Sequence, residues 1–268
     1  MTQPDKITVP KIIEMKRRGE KIASLTAYDW LLASLLDAAG IDVILVGDSA
    51  AMVFAGHDTT LPMTMDQMLY HTRAVTRGVK HALVIADMPF LSFQVTPDQA
   101  IENAGRFLQK GRAGGVKIEG GEPIAETIRK ITDIGMPVMG HLGLTPQSIQ
   151  SFGGYRLRGK TEGEAETIRK DAKILEQAGV FAIVLEKIPA SLAGEITKSI
   201  SIPTIGIGAG PDCDGQILVT PDMLGLFESF KPKFVRQYAN LAGTIRSAAS
   251  GFIKDVKSGA CPSKEESF

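Results

Sequence analysis

Short apolar runs that each end in an ionisable residue recur along this chain, and they narrow its fold more than any other feature. Residues 43–46 lead to Asp48, 82–86 to Asp87, 137–140 to His141 and 181–185 to Glu186. The stretch 116–121, V-K-I-E-G-G, carries Lys117 and Glu119 two residues apart. In a strand these two side chains share one face, and Val116 and Ile118 take the other. Runs that are apolar throughout, rather than alternating, belong to strands covered on both faces, as in a parallel sheet. Helical patterns at 28–39, 64–77, 96–111, 123–134, 163–178 and 190–199 separate the runs. Thr96-Pro97 supplies a cap residue followed by proline at the first helical position. Further strands are predicted at Ile22–Thr26 and 203–207, and an eighth at 233–235 before a closing helix at 238–257. Long loops are predicted at 47–62 and 142–161. About eight strand–helix units in 268 residues predict a closed (β/α)₈ TIM barrel, one domain across 1–268. A leader at about 1–18 and a tail at about 257–268 are read as peripheral. The competing fold is an open doubly wound sheet, whose usual G-x-G-x-x-G after the first strand is absent.

Composition excludes several function classes. The chain is 44% hydrophobic and 22% charged, enough for a full core, and its formal net charge is zero. That balance argues against nucleic acid or an anionic membrane surface as main partner. No apolar run approaches the roughly 18 residues of a spanning helix. The opening M-T-Q-P-D-K lacks the apolar centre of a signal peptide, so a cytoplasmic protein is expected. Cys213 and Cys261 are far apart and outside metal-ligand spacing, and read as incidental thiols.

In a barrel the C-terminal strand ends meet at one mouth, where active sites are built. Asp48, Asp87, Lys117, Glu119, His141 and Glu186 would converge there. Any one of them alone reads as a helix cap or turn residue; together, at the same end of different strands, they predict a shared site. Carboxylates without cysteine suit a hard cation such as Mg²⁺, which takes one or two carboxylates plus water and substrate oxygens. Zinc would prefer more histidine or cysteine. Lys117 offers a positive charge to an anionic substrate group; a Schiff base or an ion pair with Glu119 are its other roles. His141 either polarises a carbonyl or is a buried structural histidine. His57, His71 and His81 read as structural or exposed. The run 206–210, G-I-G-A-G, reads as an anion-holding loop or as a tight turn.

The stretches S-L-T-A-Y-D, L-V-G-D-S, G-H-D-T-T-L-P-M-T, A-D-M-P-F, V-K-I-E-G-G, M-G-H-L-G-L-T-P-Q, F-G-G-Y-R, V-L-E and G-I-G-A-G-P-D-C-D-G-Q-I-L-V together resemble the ketopantoate hydroxymethyltransferase family over residues 22–239. The resemblance implies a (β/α)₈ barrel of the phosphoenolpyruvate/pyruvate superfamily and a role in pantothenate synthesis. It implies Mg²⁺-dependent transfer of a one-carbon unit from 5,10-methylenetetrahydrofolate to 2-oxoisovalerate. By motif it places Asp48 and Asp87 at the metal and as substrate contacts, with Glu119 closing the metal's polar shell. Ser49 and Lys117 would hold the substrate carboxylate, His141 would lie beside it, and Glu186 would accept the proton. It also implies a homodecamer built from two pentamers. The alternative within the superfamily is a Mg²⁺-dependent oxo-acid lyase.

Overall fold

The structure is a computed structural model that describes residues 6–228 and 232–268. The chain divides into two compact units, Met1–Leu218 and Val219–Phe268. The first unit is a closed barrel of eight parallel strands in sequence order, β8 pairing with β1. In chain order it contains α1 (Val9–Arg18), β1 (Ile22–Thr26), α2 (Trp30–Ala38), β2 (Val43–Val46), α3 (Ala50–Val53), α4 (Met65–Gly78), β3 (Leu83–Asp87) and α5 (Pro97–Gln109). There follow β4 (Gly115–Glu119), α6 (Ala125–Asp133), β5 (Val138–Gly143), α7 (Ile149–Phe152), α8 (Glu162–Gln177), β6 (Ala182–Glu186), α9 (Ala190–Ser199), β7 (Thr204–Ile207) and β8 (Gly215–Leu218). The second unit holds α10 (Thr220–Met223) and α11 (Leu241–Ser258). No helix among the described residues is long and apolar enough to cross a membrane.

Two apolar layers explain the runs. Val43, Leu45, Leu83, Ile85, Met139 and Val184 fill the barrel, while Ile44, Val46, Val84, Val116, Ile118 and Leu185 pack outward beneath the helices. Both faces of β2 and β3 are buried, so these strands show no polar alternation, and β3 turns polar only at its last residue, Asp87. Helix starts are fixed by side chains accepting orphan N–H groups: Asp29 from Leu32 N (2.9 Å), Thr96 from Gln99 N (3.2 Å) and Thr64 in a reciprocal box with Gln67. The Thr96-Pro97 start matches the reading from sequence.

Three sequence expectations are corrected. Residues 233–235 are not the eighth strand; part of that stretch forms a turn, and β8 is Gly215–Leu218. A parallel partner normally needs a crossover helix, but residues 208–214 carry β7 into β8 without one, turning through Gly208 and Gly210 at positive φ. Strand β5 runs to Gly143 rather than stopping before His141, so His141 is a strand residue. The expected peripheral leader contains α1, whose Ile12 and Met15 are buried in the barrel's inner cluster.

Lys16 anchors α1. Its ammonium donates to the carbonyls of Thr197 (2.9 Å) and Ile202 (3.0 Å) and pairs with Asp214 at 2.9 Å. Asp214 in turn accepts from Thr204 N on β7 at 2.9 Å. Lys16→Met should therefore cost about 2–3 kcal/mol of stability in urea denaturation, with turnover retained. A loss below about 0.5 kcal/mol would class the contact with ordinary surface pairs.

Candidate active site

Strand register assembles the mouth. Each strand places alternate residues inward, so the series Leu83, Ile85, Asp87 ends with a carboxylate on the inner face. Asp87 is the Cα partner of Lys117 across β3 and β4, and Glu119 partners His141 across β4 and β5. Glu186 partners Gly143 across β5 and β6. Asp48, Asp87, Lys117, Glu119 and His141 are all buried. The Glu186 side chain is 17% exposed, the most open of the group.

Lys117 is central. Its Nζ lies 2.8 Å from Asp87 Oδ1, 3.8 Å from Glu119 Oε1 and 3.1 Å from His141 Nδ1. Burial alone would lower its pKa, but Asp87, Glu119 and Asp48 outweigh burial and raise it. A Schiff-base lysine needs a free amine, so this environment favours the charged, anion-holding role.

Asp48 and Asp87 are close neighbours. The Asp48 backbone N–H donates to Asp87 Oδ2 at 3.0 Å. Burial raises the Asp48 pKa well above the ordinary carboxylate range, and Asp87 and Glu119 add to it. Burial also raises Asp87, against the opposing pull of Lys117. Glu119 moves the other way: burial would raise it, but His141, Lys117 and the Gln147 N–H lower it. His141 Nδ1 lies 3.3 Å from Glu119 Oε1, and its Nε2 lies 3.3 Å from Glu186 Oε2 without hydrogen-bond alignment. Burial and Lys117 favour neutral His141; Glu119 and Glu186 outweigh them and raise its pKa. His141 therefore spans two carboxylates of different strands. His71, read as structural, is buried with Nδ1 2.7 Å from the Tyr28 carbonyl oxygen.

Two residues here escaped the sequence reading. Gln147 donates from its backbone N to Glu119 Oε2 (3.0 Å) and from Nε2 to Asp48 Oδ2 (2.9 Å) and the Met88 carbonyl (2.9 Å). Its only signal is the T-P-Q turn after β5, which resembles any helix start. Tyr28 lies with its hydroxyl 2.9 Å from Ser49 Oγ, fixing the hydroxyl that follows Asp48.

The donor set suits a hard cation in a restricted way. Among the described residues no three His, Cys, Asp or Glu side chains already form a metal cage. Mg²⁺ needs no such cage, since one or two carboxylates suffice when substrate and water supply the rest. Asp48 and Asp87 meet that need, because both are buried, adjacent and held toward the protonated form by desolvation that a cation would offset. Glu119 faces His141, Lys117 and Gln147 beside them.

A closed parallel barrel with buried acids, a lysine and a histidine at the strand C-termini defines a (β/α)₈-barrel enzyme. The fold is shared with a phosphonopyruvate hydrolase solved in complex with oxalate and Mg²⁺ (TM-score 0.62, 16% identity, covering 97% of this chain and 93% of that one). It is shared as well with 2,3-dimethylmalate lyase of the PEP mutase/isocitrate lyase superfamily (TM-score 0.62, 15% identity, 98% and 89% covered). The profile of ketopantoate hydroxymethyltransferase matches residues 6–264. The chain is 56% identical over 266 residues to the 3-methyl-2-oxobutanoate hydroxymethyltransferase of Chlorobaculum tepidum, covering 98% of this chain and 96% of that one. It is 55% identical over 263 residues to the enzyme of the same name from Syntrophus aciditrophicus, covering 98% and 97%. The chain belongs to the ketopantoate hydroxymethyltransferase family, and it is a hydroxymethyltransferase.

Proposed function

We propose that this enzyme transfers a hydroxymethyl group from 5,10-methylenetetrahydrofolate to 2-oxoisovalerate (3-methyl-2-oxobutanoate), giving 2-dehydropantoate for pantothenate and coenzyme A synthesis in the cytoplasm. The observation that carries the reading is the convergence of paired acids, a lysine set among them and a partly open glutamate at one barrel mouth. Asp48 and Asp87 would hold Mg²⁺, with Glu119 completing the polar surroundings. When bound there, the ion supplies Lewis acidity to the keto oxygen of the substrate. Lys117, with Ser49, holds the substrate carboxylate by charge and hydrogen bonding. Glu186 takes the proton from C3, a poorly acidic position beside the ketone. His141 lies between Glu119 and Glu186, 3.3 Å from each carboxylate, and adds positive charge beside the glutamate. The C3 carbanion equivalent bonds to the methylene carbon of the folate, water supplies the hydroxyl on that carbon, both of its bonds to the folate nitrogens break, and tetrahydrofolate leaves with the proton taken from C3 and the second proton of the water.

One assay tests the reading: 2-oxoisovalerate with Mg²⁺, with and without methylenetetrahydrofolate. Folate-dependent formation of 2-dehydropantoate supports it. Cleavage of a 2-oxo acid without folate would support a lyase instead, and no turnover would leave a binding barrel. For the metal, Asp87→Ala should abolish Mg²⁺-dependent turnover while the protein stays folded. Retained Mg²⁺ affinity in titration calorimetry would remove Asp87 from the metal. We also propose the homodecamer; exposed Trp30, Leu31 and Leu35 on α2 supply apolar surface for subunit contact, and sedimentation velocity tests the assembly.

A further inference from the structure

The loop between α7 and α8 crosses the barrel mouth, and Tyr155 is its crossing point. Its carbonyl accepts a hydrogen bond from Lys187 Nζ, and Arg158 N donates to the Lys187 carbonyl at 3.0 Å. Lys187 directly follows Glu186 at the end of β6. The Tyr155 hydroxyl instead donates to Met52 Sδ at 3.6 Å, and Met52 lies on α3, just beyond Asp48 and β2. In a ring of eight strands in sequence order, β2 and β6 stand opposite each other. Tyr155 thus touches side chains that follow β6 and β2, on opposite sides of the opening. Its hydroxyl pKa is raised by partial burial and then by Glu186, Asp48 and Glu119, carboxylates on three sides of the mouth.

The ends of this strap are held differently. Arg158 stacks over the Phe152 ring at 3.9 Å and pairs with Glu164 on α8. Between Phe152 and Tyr155 lie Gly153 (φ 65°) and Gly154 (φ 127°), conformations that residues with a Cβ rarely take. Tyr155 is 40% exposed, so part of the side chain remains open to a ligand.

Resting on the proposed folate-dependent reaction, we infer that Tyr155 is a positioning residue for the one-carbon donor, its ring forming the roof on which the planar pteridine stacks. The barrel interior beneath the acids is filled by packed side chains, so the donor must arrive from the open side where Tyr155 stands. A fused aromatic ring gains most from a flat apolar partner, and Tyr155 offers one within reach of the site's carboxylates.

The test uses full-length enzyme with Mg²⁺ and 2-oxoisovalerate, and 5-methyltetrahydrofolate as a donor analogue that cannot transfer its carbon. Tyr155→Leu should weaken analogue binding in calorimetry by about tenfold or more, while Tyr155→Phe, which keeps the ring, should stay within about threefold of wild type. The effect on binding should exceed any effect on folate-independent exchange of the substrate C3 proton. Wild-type affinity in Tyr155→Leu overturns the inference. Equal losses in the Leu and Phe variants would move the role from the ring to the hydroxyl–Met52 contact and overturn it as well. Exchange slowed as much as binding would show that the strap serves Glu186 rather than the donor. Wild-type enzyme that exchanges the proton yet ignores the folate would overturn the donor reading itself, before any variant is compared.

Discussion

Glu186→Gln is expected to bind 2-oxoisovalerate but to exchange its C3 proton with deuterated water roughly 10²-fold or more slowly than wild type. Exchange needs no folate, so it isolates proton removal from carbon transfer. The substitution is nearly isosteric and keeps a hydrogen-bonding amide while removing the base. The fold should not notice it. The structural contacts at this point are made by backbone: the Glu186 carbonyl accepts from Leu144 N at 2.8 Å, and Lys187 N donates to the Ile207 carbonyl at 2.8 Å. Lys187 itself adopts φ 49°, which the surrounding bonds must hold and the Gln variant leaves in place. A helix-cap or ion-pair role for Glu186 predicts the reverse pattern, lower stability with normal exchange. His141 provides the internal control. Its Nε2 lies 3.3 Å from the Glu186 carboxylate, and the Gln variant removes one of the charges that favour the protonated imidazole, so it is the next group able to take the proton. Exchange at the wild-type rate in Glu186→Gln would transfer the base role to His141, and His141→Asn would then carry the loss.

The barrel and its mouth were legible because the same physics writes both. A strand buried on two faces must be apolar until it leaves the core, so the first polar residue marks the rim, as Asp87 and Glu186 do. The two-residue spacing of Lys117 and Glu119 fixed their common face, and the structure puts both inside the barrel against Asp87 and His141. What escaped lacked a periodic signature. Strand β8 is four residues long, joins β7 without a helix, and alternates buried with exposed positions, so no rule for parallel units pointed to it. Helix α1 carries four basic residues in its ten and sits where a peripheral leader is expected, although Ile12 and Met15 three apart give it a buried face. Gln147 was invisible because a neutral amide at a turn carries no sign of the two acids it bridges.

Lys117→Met should strongly destabilise the mouth. Met matches the length of the side chain but leaves Asp87 Oδ1 without its partner at 2.8 Å, in a pocket shared with Asp48 and Glu119. Removing one member of a buried pair costs about 3–5 kcal/mol, because the remaining charge stays desolvated. The sign of the pH dependence follows from the acids. Asp48 and Asp87 already have raised pKa values in the folded protein, and loss of the ammonium raises them further. An acid raised on folding destabilises as pH climbs from its unfolded value near 4 through its folded one, so the deficit should shrink in mildly acidic buffer and grow toward neutrality. A cation at Asp48 and Asp87 would offset the same charge, so Mg²⁺ should raise the melting temperature of Lys117→Met more than that of wild type. In kinetics, KM for 2-oxoisovalerate should rise by the equivalent of roughly 2–4 kcal/mol as the carboxylate loses its counter-charge. Borohydride should trap no substrate on the wild-type enzyme. A variant as stable as wild type at neutral pH and indifferent to Mg²⁺ would show that the acids are neutral without Lys117. A trapped adduct at Lys117 would replace the ion-pair role with covalent catalysis.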